Sequence, residues 1–407
     1  MSKKMLLGAA IVLILGAAVA YAVMRPSLPI VPAAVVNQPQ EIVLGFNAAL
    51  TKNAVAGYGV AARLGFEVAV NEINAAGGIL GKKIRPVILD DEGDKEISKK
   101  NVERLVNQEK ASAIIGPANS GNALYWMDIP QDNEVIVITP IATATEITTR
   151  YQQRPRNYIF RISSIDKEQA RLLTAWAIKK TDNGKIAILY DSTPYGLQGE
   201  KDFTEVLARW GKAPVLSKKF EKTATDKELT GLLVDAQKAG ADAVLVYSLV
   251  DSSSRFVKLA AQKNYKPMLL GTAANAIDLW AATGPASSKM FYSAIIVDES
   301  KPEAISLEKK ATALFGKPSP ALTVTSFSYD AVYLIKAAME KAGTTDKKAV
   351  RDALEEIDNV QGSLHVYKKP FSHDDHEGMS AVDFSVAHWV DGKRVLLGDE
   401  TRDIEIR

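Results

Sequence analysis

"EINAAGGILGKKIRPVILDD", from Glu72 to Asp91, decides how this chain folds. It reads as the end of a helix, two glycines, a tight turn, an apolar strand and a pair of aspartates. Upstream, between Gly59 and Asn74, the polar residues Arg63, Glu67, Asn71 and Asn74 recur at helical spacing and form one stripe. Val60, Leu64, Phe66, Val68, Val70 and Ile73 fill the rest with apolar surface. Such a helix lies against a sheet with one edge in water. Gly77 or Gly78 supplies the left-handed residue that ends it. Ile79–Lys82 then reverses the chain into a strand, which completes the helix-to-strand half of a βαβ unit.

The same alternation runs outward in both directions. Apolar runs at 42–46, 84–89, 112–116 and 135–139 predict strands, as do those at 185–190, 242–247, 267–271 and 292–297. Continuous apolar runs of this length suit strands covered on both faces, hence parallel sheets in an α/β fold. One series ends near residue 163 and a second runs from about 166 to 295. The C-terminal part differs. It predicts helices over 323–341 and 346–357, then short strands near 363–368, 381–388 and 394–397.

The 407 residues suffice for two domains. Formal charge is +2, and Lys3 and Lys4 account for all of it, so the body carries no basic footprint for nucleic acid. The absence of cysteine excludes disulfides, thiol catalysis and zinc–thiolate sites. At the N-terminus, Lys3-Lys4 precede the apolar run Met5–Met24, with a small-x-small site at Ala20-Tyr21-Ala22. This matches a secretory signal, and the run is also long enough to span a bilayer. Residues 25–40, "RPSLPIVPAAVVNQPQ", read as an extended Pro-rich linker. Cleavage after Ala22 would release the body. Retention of residues 1–24 would tether it, with membrane contact through that segment. Either way the body is exported.

No dinucleotide fingerprint, Walker motif, nucleophile elbow or His-Glu-x-x-His occurs. An open α/β fold still offers a crevice at the carboxyl ends of its strands. After the run at 112–116, "GPANSG" breaks the strand, and Ser120 is placed to cap a helix. After the run at 135–139, "TPIATATEIT" offers the hydroxyls of Thr139, Thr143 and Thr145. Gly57-Tyr58-Gly59 supplies an aromatic at the start of the first helix. The residues alone leave two readings open, ligand contacts or ordinary caps and turns. "PFSHDDHEG" (370–378) lacks a further ligand pattern and reads as a solvated loop rather than a metal site. "LDDEGD" (89–94) lacks calcium-loop spacing and reads as a strand end and turn. No cofactor, metal or catalytic group is expected.

"GYGVAARLGFEVAVNEINAAGGILGKKIRPVILDDEGD" (57–94), "AIIGPANSG" (113–121), "VITPIATATEIT" (137–148), "YIFRISSIDKEQA" (158–170) and "IAILYDSTPYGLQG" (186–199) appear in order. Together they resemble the branched-chain amino-acid-binding (Leu/Ile/Val-binding-like) family of periplasmic solute-binding proteins that serve ABC importers. The resemblance covers about residues 41–400. It implies a type I periplasmic binding protein with two Rossmann-like lobes and a small-molecule cleft between them. It implies no chemistry on the ligand, a membrane permease as partner and a periplasmic location. The expected lobes are 41–164 plus 297–370 and 165–296 plus 371–407.

By the same resemblance, Ser120 with Ile141, Ala142 and Thr143 would hold a ligand carboxylate, with Tyr58 beside it and Tyr195 opposite. Two positions depart from the family pattern. Ala273 stands where amino-acid binders place an acid for the ammonium, and Leu249 replaces a second-lobe aromatic. A buried ammonium without a partner is costly, so these departures favour an organic acid with an apolar or aromatic body. Asp251 could substitute for the acid or could equally cap the next helix. The family's usual first-lobe disulfide is missing, and Asn119 occupies one of its positions. A membrane-tethered ligand sensor of the same fold is the alternative function. An exported enzyme would need a base near the strand ends, and no histidine lies there.

Overall fold

The apolar runs form two sheets. In a computed structural model, the described residues are 41–406 except 54, 264, 276–282, 288–290, 296–298, 364–365, 391–392 and 403. The expected signal or anchor and the linker, residues 1–40, lie outside them. Among the described residues no helix is long and apolar enough to cross a membrane.

The first sheet is all parallel, in the order β2 (Ile84–Asp90), β1 (Ile42–Ala48), β3 (Ala113–Ile115), β4 (Ile136–Thr139), β5 (Ile159–Arg161). The second has seven strands. Its parallel part runs β7 (Leu216–Phe220), β6 (Ile186–Asp191), β8 (Ala243–Tyr247), β9 (Met268–Gly271), β10 (Phe291–Ile295). Beyond β10, β13 (Ser385–Val390) and β14 (Lys393–Leu396) join antiparallel. The two-residue strands β11 (Val360–Gln361) and β12 (Val366–Tyr367) pair separately. Every apolar run named above becomes a strand. The patterning did not single out β5, which has only three residues, or β7. The sequence of β7, "LSKKF", is half-exposed at the sheet edge, where lysines discourage pairing with other chains.

The helix Ala56–Ala75 starts a few residues before the polar stripe and ends before Gly77 and Gly78, both at positive φ. The long helix Leu322–Ala342 packs along it. At Gly65 the two backbones nearly touch, and a Cβ there would lie 1.8 Å from the Thr325 carbonyl oxygen. The Thr325 hydroxyl donates to the Ala61 carbonyl at 2.8 Å. Glu72 accepts from the Tyr329 and Tyr333 hydroxyls and pairs with Lys310 of helix Pro302–Phe315, so three helices share one carboxylate. The first lobe is therefore built from both ends of the body. The chain leaves it after β5, comes back between β10 and Pro302, and leaves again before β13.

The segment around residue 370 packs on the first sheet. Phe371 meets Phe160 of β5 edge-on at 5.0 Å, and His376 stacks on the same ring at 3.9 Å. His376 is only 3% exposed, with ring nitrogens 2.8 Å from the Ile159 carbonyl and 3.1 Å from Glu355. The solvated-loop reading of 370–378 is thus corrected. Only Ser372–Asp375 is exposed, and the rest is an anchor on the first lobe. The "LDDEGD" turn also does structural work. Asp94 caps helix Lys95–Asn107, while buried Asp91 accepts from Ser98 and Asn122.

Gly65→Ala should force the helices Ala56–Ala75 and Leu322–Ala342 apart and cost about 2 kcal/mol or more. Gly57→Ala, where a Cβ would have nothing within 4 Å, should be neutral or slightly stabilising. Denaturation midpoints of the two variants test this, and equal midpoints would refute the close-approach constraint.

Candidate ligand cleft

Both sheets reverse strand order where a crevice is expected, at β1/β3 in the first and β6/β8 in the second. The loops at the carboxyl ends of these strands face each other across a cavity of about 270 Å³. That is near the lower end of small-molecule sites. Tyr58, Ser120, Ile141, Ala142, Thr143, Tyr195, Leu249 and Ala273 all line it. The structure thus brings together residues spread over more than two hundred positions of sequence.

The first-lobe wall starts after β3. Asn119, not Ser120, caps the helix Ser120–Trp126, since its side chain accepts from the Asn122 N–H at 2.8 Å. Ser120 is the first helical residue, and its Oγ accepts from the Ala144 N–H at 3.2 Å. A hydroxyl that accepts one bond keeps its own proton to donate. The turn after β4 is similarly braced. The Ala142 N–H is taken by Thr139 Oγ1 at 3.1 Å, which leaves the N–H groups of Ile141 and Thr143 as the turn's donors among the described residues. From behind, Arg161 donates to the carbonyls of Ala142 and Ala144 at 3.2 and 2.9 Å.

The second-lobe wall comes from the loops after β6, β8 and β9. Tyr195 shares a 2.6 Å hydrogen bond with Thr272 Oγ1 and lies 4.6 Å from the Tyr247 ring. Leu249 precedes helix Val250–Gln262 as its N-cap, and Asp251 is an exposed residue of that helix's first turn. The Ala273 N–H donates to Gln169 at 2.7 Å. Side-chain hydrogen bonds cross between the lobes. The Tyr58 hydroxyl donates to the Ala274 carbonyl at 2.7 Å, and the Thr145 hydroxyl donates to Asp202 at 2.8 Å.

Several residues of the site were not singled out from sequence. Val55, Val324 and Phe327 add apolar wall, and Lys222 adds a cation at the exposed side. The Ser163 hydroxyl lines the cavity, is buried and has no hydrogen-bond partner. Asp166, the first residue of helix Asp166–Lys180, is 0% exposed. Neither carboxylate oxygen has a hydrogen-bond partner at normal distance and angle, although the hydroxyls of Tyr247 and Thr143 stand near it and its N–H bonds to the carbonyl of the cavity residue Thr143 at 3.0 Å. Burial pushes this carboxyl up to about 7 and the nearby Asp202 adds to the shift. The hydroxyls of Tyr247 and Thr143 and the charge of Arg161 oppose it. Buried polar groups are normally bonded, so an unpartnered acid beside a cavity calls for a cationic or donor group. An acid opening a helix at the lobe crossing was the available signal. Among the described residues no cluster of His, Asp and Glu could hold a metal.

A family model described as periplasmic binding protein matches residues 41–393. A Brucella melitensis biotype 1 protein named Leu/Ile/Val-binding protein homolog 3 is 28% identical over 88% of this chain and 94% of its own length. A Pseudomonas aeruginosa protein named for binding leucine, isoleucine, valine, threonine and alanine is 28% identical over 82% of this chain and 86% of its own. The crystal structure of a type 1 periplasmic binding protein from Bordetella pertussis Tohama I superposes with a TM-score of 0.77 at 25% identity. That match covers 88% of this chain and 99% of the other.

Asp166 gives a stability test that needs no ligand. The folded chain holds its proton up to about 7, whereas an unfolded carboxyl releases it near 3.8. Between those values the folded state binds more protons, so this group's contribution to stability falls as pH rises. Asp166→Asn should remove it. Unfolding measured from pH 4 to pH 8 should show wild type losing on the order of a few kcal/mol relative to the variant. Parallel curves would show that Asp166 is not held protonated.

Proposed function

The chain belongs to the periplasmic binding protein family, and from that premise we propose that it is an exported solute-binding protein of an ABC importer. The family places the folded body in the periplasm or outside the cell, and the relatives carry names of binding proteins rather than of enzymes. The proposed ligand is an α-amino acid with an apolar side chain, which the protein presents to a membrane permease.

The observation that carries the ligand class is the fully buried carboxylate of Asp166 beside Thr143, with no cation paired to it and only the hydroxyls of Tyr247 and Thr143 near its oxygens. The argument against an ammonium rested on Ala273. Asp166 does not line the cavity itself, but it is buried directly against the lining residue Thr143 and offers an anion in place of the acid missing at Ala273. In this reading Ser120, Thr143 and the free N–H groups of the 141–143 turn take the carboxylate. Val55, Tyr58, Leu249, Val324 and Phe327 enclose the side chain, and Tyr195 closes from the second lobe. The lobes shut around the ligand by a hinge motion.

Titration calorimetry with L-leucine, L-isoleucine, L-valine and 4-methylpentanoate, which is leucine without its amine, tests the assignment. An amino acid should bind, and the deaminated acid should bind far more weakly. Affinity for the amino acid should fall below about pH 7, because the Asp166 proton must leave, by at most about tenfold per pH unit. A preference for the deaminated acid would refute the ammonium site and restore the organic-acid reading. Ser120→Ala and Thr143→Ala should each weaken binding about tenfold. Unchanged affinity in both would eliminate the carboxylate pocket.

A further inference from the structure

Arg161 ends β5, and the chain leaves the first lobe immediately after it. Its side chain is 0% exposed, and all five of its N–H donors are used. Nη1 holds the carbonyls of Ala142 and Ala144, and Nη2 reaches Thr148 Oγ1 at 2.9 Å. Nε and Nη2 also grip the two oxygens of Glu377 at 2.7 and 2.6 Å. The Thr148 hydroxyl donates to Glu377 as well. In a planar trans peptide the N–H points opposite to the C=O. A guanidinium that draws the Ala142 carbonyl backward therefore turns the Thr143 N–H forward.

Glu377 lies 216 residues away in sequence and stands at the other departure point. The Arg161 N–H bonds to the His376 carbonyl at 3.0 Å, and the Gly378 N–H bonds to the Arg161 carbonyl at 2.8 Å. The two strands that leave the first lobe thus start side by side, clamped by one buried ion pair. Glu377 does not line the cleft, and a buried ion pair is weak evidence for stability alone. Its geometric effect is to tie the 141–145 turn to both crossings.

We propose that Arg161 and Glu377 are positioning residues that couple the ligand-binding turn to the lobe crossings at Ile162 and Gly378. The role in binding rests on the amino-acid reading above; the mechanical link does not. When the turn is ordered, the crossings start from a fixed register. When the pair is weakened, turn and crossings loosen together.

Amide hydrogen exchange on the full chain, with no ligand added, tests the link in Glu377→Gln, Glu377→Asp and Thr148→Val. Glu377→Gln keeps the size but leaves a buried guanidinium without its counter-charge. Exchange should rise jointly in 141–149, 159–166 and 376–380, while the distant helix Asp226–Lys238 is unchanged. Thr148→Val should show a smaller rise with the same pattern, and Glu377→Asp should restore most of the protection. L-leucine affinity, measured in parallel, should drop about tenfold in Glu377→Gln and recover in Glu377→Asp. Unchanged exchange in 141–149, or a uniform rise across both lobes, would overturn the coupling. If wild type binds none of L-leucine, L-isoleucine and L-valine, the functional reading fails, and the exchange pattern still decides the link.

Discussion

The contact at Gly65 sets the terms for everything else. Helix Ala56–Ala75 and helix Leu322–Ala342 pack so closely that a single methyl group would collide with the Thr325 carbonyl. Together they cover the first sheet, and the Glu72 carboxylate fastens the pair to helix Pro302–Phe315. The first lobe cannot bury its core until the last quarter of the body has come back to it. Such sequence-distant pairing is paid for in loop-closure entropy before it is rewarded. It also fixes the topology, because a chain that builds one lobe from two pieces must cross repeatedly to the other.

The cleft follows from those crossings. The two sheets share a strand-order reversal, and their carboxyl ends are held face to face by the segments that connect them. The chemistry of the walls is asymmetric. The first lobe offers a braced turn whose polar groups are largely committed within the protein, with a few donors turned inward. The second offers rings and a small residue at Ala273. Asp166 lies at the junction, on the first residue of the helix that starts after the first crossing.

Much of this was legible in the sequence, for physical reasons. Strands buried on both faces must be apolar throughout, so seven of them stood out as runs, and the edge strand β2 stood out with them because "IRPVIL" is still mostly apolar. The first helix was legible because water on one edge leaves a polar stripe. β7 was not, because an edge strand needs no apolar run and "LSKKF" looks like a loop. His376 was misjudged because burial of a loop histidine depends on a ring, Phe160, that is far away in sequence. Asp166 was passed over because an acid in the first turn of a helix is ordinary helix-dipole chemistry. Only its complete burial without a paired cation, visible in three dimensions, distinguishes it. The cleft residues were reached through family resemblance. Periodicity alone gave strand ends and turns without saying which of them converge.

The side-chain hydrogen bonds across the cleft from Tyr58 to Ala274 and from Thr145 to Asp202 are made between protein groups alone. Each moves part of the driving force for closure from the cargo to the carrier. A carrier with such built-in bias holds its cargo more tightly, because less of the binding energy goes into reshaping it. It also spends a larger share of its time shut while empty. A downstream receptor that recognises only the shut outline would then accept empty carriers along with full ones. The strength of these two bonds therefore sets a trade between scavenging at low concentration and fidelity of delivery.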